Sequence, residues 1–85
     1  MLPGFVTLFK DKNHKVHLFF FPGLDEESNS IFRTLDLSKT GVEYEKIKYE
    51  DGAEEFIFDR EDILKITCKL VDRSGSISNV ELNLD

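Results

Sequence analysis

Residues 43–58, Glu43-Tyr-Glu-Lys-Ile-Lys-Tyr-Glu-Asp-Gly-Ala-Glu-Glu-Phe-Ile-Phe58, decide how the rest of the chain is read. Apolar and polar side chains alternate on both sides of Asp51-Gly52, and a period of two is the signature of a strand with one face covered. Asp-Gly between two such runs signals a hairpin, because a two-residue turn needs positive φ at both central positions. Such a turn sets Ile47 opposite Phe56, Glu45 opposite Phe58, Tyr49 opposite Glu54 and Glu43 opposite Arg60. It also sets Lys48 opposite Glu55 and Lys46 opposite Ile57. The expected hairpin has one apolar face (Ile47, Tyr49, Phe56, Phe58). On its other face Lys48 and Lys46 offset part of the acid density.

Outward from this hairpin the same period recurs. Gly4 to Lys10 and Val16 to Phe21 are rich in β-branched and aromatic residues, and Asp11 to Lys15 between them has hairpin length. Ile63 to Val71 alternates through Leu64, Ile66, Cys68 and Leu70. After a turn at Asp72 to Ser76, Ile77 to Leu84 alternates again. Residues 24–37 admit two readings. Asp25-Glu26-Glu27 suits a helix start, whereas Ile31, Leu35 and Leu37 share one face of a strand, and the strand is preferred. The expectation is a single all-β domain over residues 1–85, a small antiparallel barrel or sandwich of about six hairpin-connected strands. The alternative is α+β with one helix near 24–37.

At 85 residues there is material for one small core. A lone cysteine, Cys68, excludes a disulfide framework and a Cys-rich zinc site, and points to a reducing, cytoplasmic setting. Leu18 to Pro22, the longest unbroken apolar run, is far short of a membrane span, and no targeting segment is evident. His14 and His17 fall across a turn and a strand start with no completing ligand, so no metal site is expected. Cys68 stands on the apolar face of its strand, where a thiol acts as a small hydrophobe. No phosphate loop, nucleophile elbow or catalytic triad is present. The chain reads as non-enzymatic, without a cofactor.

The net charge of -6 arises in the second half of the sequence. Lys10, Lys12, Lys15, Arg33 and Lys39 balance Asp11, Asp25, Glu26, Glu27 and Asp36. Beyond residue 42, acids outnumber bases. An acidic surface repels phosphate backbones and favours a basic partner. The expected function is therefore protein binding through Glu43, Glu45, Glu50, Asp51, Glu54, Asp59, Glu61 and Asp62, with a basic, nucleic-acid-binding protein as the target. Same-face strand residues lie about 6.5–7 Å apart, near the spacing of phosphates along one DNA strand. In charge and size the chain is similar to virus-encoded inhibitors that imitate DNA, with no shared motif. Two other readings stay open. One is single-stranded nucleic-acid binding by the basic and aromatic N-terminal hairpin, and the other is a structural oligomerisation subunit. Phe19, Phe20 and Phe21 must alternate between faces, so either that strand is buried on both sides or one of its faces shows an aromatic patch to a partner, a candidate homodimer interface.

Overall fold

In the computed structural model, which describes residues 1–84, the chain forms seven strands in two antiparallel sheets. The first sheet has the order β1-β2-β5-β4, built from Phe5–Lys10 (β1), Lys15–Phe21 (β2), Glu54–Asp59 (β5) and Tyr44–Lys48 (β4). The second has the order β3-β6-β7, from Phe32–Lys39 (β3), Ile66–Asp72 (β6) and Ile77–Val80 (β7). The all-β expectation holds, in its sandwich form. Three hairpins follow the chain, but β2 pairs with β5 and β3 with β6, so long-range pairings make each sheet.

The core lies between the sheets. Val16, Leu18, Phe20, Phe56 and Phe58 enter it from the first sheet, and Leu35, Ile66, Cys68 and Leu70 from the second. Along β2 the burial alternates residue by residue, as one covered face requires.

No helix forms over 24–37. The Asp25 carboxylate accepts the backbone N–H groups of Glu27 and Asn29, closing a local loop instead of opening a helix. Leu24 then bridges Leu2 and Ser30, and β3 follows. The same loop design recurs at Asp11, which accepts the N–H groups of Asn13 and Lys15, and at Asp72, which accepts those of Ser74 and Ser76. In each loop the residue three after the aspartate has positive φ: His14 (59°), Ser28 (65°) and Gly75 (91°).

The central hairpin differs from expectation by one residue. Tyr49 N–H donates to Ala53 O and Gly52 N–H to Tyr49 O, so the loop has three residues, Glu50-Asp51-Gly52, with Gly52 at φ 93°. A type I turn closed by a left-handed glycine makes this loop. The pairing becomes Tyr44 with Phe58, Lys46 with Phe56, Lys48 with Glu54, Glu45 with Ile57 and Ile47 with Glu55. A slip of one position exchanges faces throughout β4. Ile47 and Tyr49 thus leave the face of Phe56 and Phe58 and join Glu55, while Lys46 and Lys48 turn to the inner side.

A second departure lies at Arg60–Lys65, a 3-10 helix that carries the chain from β5 to the other sheet. Ile63 and Leu64 fall in it, so the last alternating strand before the turn starts at Ile66, and Leu64 is 93% exposed. The final strand stops at Val80, although Leu82 and Leu84 still pack on the core.

Candidate protein-binding face

The outer row of β2 carries Lys15, His17, Phe19 and Phe21, because Val16, Leu18 and Phe20 fill the inner row. Its partner β1 contributes Phe5 opposite Phe21, Thr7 opposite Phe19 and Phe9 opposite His17. The rings stack. Phe5 and Phe21 have centroids 4.6 Å apart, Phe21 and Phe19 6.0 Å, Phe19 and Phe9 5.5 Å, and Phe9 and His17 4.6 Å at only 4° between planes. This unbroken aromatic ladder runs along the outer face of β1 and β2, on which no strand or helix packs among the described residues. Phe5 and Phe9 are each 47% exposed. From β5 and β4 the same face receives Ile57, Glu55, Ile47 and Glu45, and Tyr49 stands beside them.

His17 anchors the polar part of the face. Its Nδ1 lies 2.6 Å from Glu55 Oε2 and its Nε2 2.9 Å from Asp11 Oδ2. Two carboxylates facing the two ring nitrogens favour the imidazolium, in which both nitrogens donate. Burial opposes that charge, but the bonds to Glu55 and Asp11 outweigh it and raise the His17 pKa above its usual value. Glu55 is 6% exposed, and Tyr49 Oη donates to its Oε1 at 2.6 Å. Desolvation pushes the Glu55 pKa up, yet the bonds from Tyr49 and His17 hold it below the ordinary glutamate value. The His17 bond, chiefly, also lowers Asp11. Every buried side-chain polar atom among the described residues has a partner.

The residues named from the sequence divide by location. Glu50 and Asp51 are exposed at the hairpin loop, and Glu43 and Glu61 are exposed toward the hairpin's other end. Glu45 is exposed on the outer face. The remaining three have local cations: Asp59 binds Lys15 at 2.6 Å, Glu54 binds Lys46 at 2.9 Å, and Asp62 binds Lys65 at 3.3 Å. Glu54 is buried on the inner row rather than displayed. Of the three consecutive phenylalanines, Phe19 and Phe21 belong to the open face. Phe20 is 2% exposed in the core, so it cannot form part of a dimer contact.

The sequence reading placed Phe5 and Phe9 beside Phe19 to Phe21 on the N-terminal hairpin, but it did not single out the Glu55–His17–Asp11 group or join Tyr49 to those rings. The signal for the ladder is alternation within both N-terminal strands once their register is known. The histidine group joins strands that pair only through tertiary structure.

Cys68 is buried, and desolvation pushes its thiol up to about 11, away from the reactive thiolate. Among the described residues no group of three His, Cys, Asp or Glu side chains is arranged to hold a metal ion. No helix among them is long and apolar enough to cross a membrane. No family model, curated protein or solved structure matches the chain.

Proposed function

We propose that the protein is a non-enzymatic binding module for a basic protein, and that its contact surface is the open face of the four-stranded sheet. One observation carries this reading: four phenylalanines stack in a continuous ladder on the outer face of the sheet, with Phe5 and Phe9 each about half exposed. Contiguous exposed apolar surface of this kind marks interaction sites in soluble proteins, and aromatic residues dominate the energetic centre of interfaces.

Charge selects the partner class. Lys15 and His17, the cations on this face, are held by Asp59 and by Glu55 with Asp11. Glu45 on the face and Glu50 with Asp51 at the loop are free of ion pairs among the described residues. Aromatic rings beside uncompensated carboxylates suit Lys and Arg side chains, through cation–π contact and charge. A nucleic-acid strand would meet the same rings, but Lys15 and His17 are already held by carboxylates, which leaves only the cations Lys10 and Lys12 at the β1–β2 end for its phosphates among the described residues near the ladder. A second copy would bring the same uncompensated acids to the face, with its own Lys15 and His17 already held by carboxylates. In the narrower form of the proposal, the partner is a nucleic-acid-binding protein whose basic surface is occluded. The exposure and spacing of Glu43 and Glu45 support that form, and the neutralised Asp59 weakens it.

The test compares capture of basic proteins by the wild type, by Phe9→Ala with Phe19→Ala, and by Glu45→Lys with Asp51→Lys. The expected outcome is loss of the same partner in both doubles, and wild-type capture that weakens as salt rises. Retention of that partner by the phenylalanine double overturns the proposal. So does a low-salt gel shift with single-stranded oligonucleotide, or sedimentation as a dimer that the phenylalanine changes dissolve.

A further inference from the structure

The sheets differ in width, and the difference leaves an opening. Every residue of β4 is exposed, although Lys46 and Lys48 share the inner row with core residue Phe56 and with Glu54. Between that overhanging strand and β3 of the other sheet lies a cleft of about 680 Å³, within the range of small-molecule sites, roughly 300–1,000 Å³. One wall carries Lys46 and Lys48, and the other Arg33 and Arg73.

Four cations on one cleft stand out in a chain with 17 acids and 11 bases. Glu54 lies in the same lining and takes Lys46, and Asp25 takes Arg73 at 2.8 Å. Lys48 and Arg33 form no ion pair among the described residues. The position of Arg33 has its own cause. Phe32 pairs with Asp72 and Thr34 with Val71, which leaves Arg33 as the extra residue of a β-bulge. Bulges re-aim side chains, and this one lies at the edge strand of its sheet, where Phe32 to Leu35 all line the cleft.

We propose that this cleft binds a small diphosphate-bearing ligand, with Lys48 on one wall and Arg33 on the other engaging its two phosphate groups. A guanidinium fork matches phosphate oxygens, and an ammonium adds a mobile point charge. Unpaired cations on facing walls call for an anion with charge at both ends, which a diphosphate supplies and a single carboxylate does not. Ser30 and Asn29 add hydrogen-bonding groups, and Phe32 adds an apolar wall. Glu50 and Asp51 stand beside Gly52 of the lining, where they oppose the continuing phosphates of a nucleic-acid chain. The site is separate from the open sheet face, so either proposal can fail without the other.

Calorimetric titration with pyrophosphate, and with ADP and adenosine in parallel, tests the assignment. Saturable one-to-one binding of pyrophosphate is expected, weakened about tenfold or more by Lys48→Ala and by Arg33→Ala. Glu54→Gln, which frees Lys46, should tighten it. Lys12→Ala, in the β1–β2 loop at the far end of the sheet, should leave it unchanged. Tighter binding of ADP with the same dependence on the variants identifies a nucleotide as the ligand, and pyrophosphate without any gain in ADP identifies a simpler diphosphate. Adenosine should not bind. No saturable pyrophosphate binding, equal affinities of the Arg33, Lys48 and Lys12 variants, or preference for a single-stranded oligonucleotide would each overturn the proposal.

Discussion

At the scale of one residue, His17 couples the open face to pH. Its pKa is raised in the folded protein, so its contribution to stability is fully present below the unfolded value near 6.5 and is lost as pH rises through the elevated folded value. Asp11 and Glu55 are lowered, so their contributions are present above the unfolded carboxylate values and are lost as pH falls through the folded ones. The group therefore stabilises most between these limits. Thermal melts from pH 6 to 9 should show the wild type losing stability as pH rises, and His17→Gln should flatten that slope. Parallel slopes would mean that the imidazolium is not what the two carboxylates hold. His14 and Ser28 permit a second test. A side chain in left-handed backbone costs about 1–2 kcal/mol, partly offset by the greater unfolded freedom of glycine. His14→Gly and Ser28→Gly should each stabilise by about 0.5–1 kcal/mol in urea unfolding, while Gly52→Ala, at φ 93°, should destabilise.

At the scale of the element, β2 presents phenylalanines with opposite roles one position apart. Truncating Phe20 leaves a core cavity and should cost about 3–5 kcal/mol. Truncating Phe9 on the open face should cost less than about 1 kcal/mol, because water already reaches the ring. Equal costs in chemical denaturation would show that the ladder is a second core and not a docking surface. Strand β4 is an exposed edge, and its inward-facing lysines guard it against pairing with another chain. Lys46 also balances buried Glu54. Lys46→Met should therefore destabilise by about 1–3 kcal/mol, since an unpaired buried carboxylate remains, and Glu54→Gln in the same molecule should recover most of that loss. Alternation made these strands legible, but not the faces of β4, because Asp51-Gly52 suits a two-residue loop as well as a three-residue one.

At the scale of the molecule, the acids counted along the chain do not act as one surface. Asp11, Asp25 and Asp72 close loops, and Asp25, Glu54, Asp59 and Asp62 hold cations. The uncompensated acids Glu50 and Asp51 lie at one end of the central hairpin, and Glu43 and Glu61 toward the other. Steering by net charge and gripping by a local patch are thus different properties. Association with a basic partner should slow as salt rises, while dissociation should respond chiefly to Phe5, Phe9, Phe19 and Phe21. Stopped-flow measurement over a salt series separates the two, and a dissociation rate indifferent to the phenylalanines would count against the aromatic face.

The amino-acid order alone determined that this is an all-β chain, where nearly every strand lies, that Cys68 is buried and that Phe19, Phe20 and Phe21 point to alternating faces of β2. Each follows from forces acting over a few residues: side-chain alternation, turn chemistry and the absence of helical periodicity. Tertiary structure decided which strands pair across the molecule, the register of the central hairpin, which sheet face stays open and which carboxylates meet a cation. Those outcomes depend on how two sheets of unequal width close on one core, and a one-residue slip in a single loop reverses every side chain beyond it.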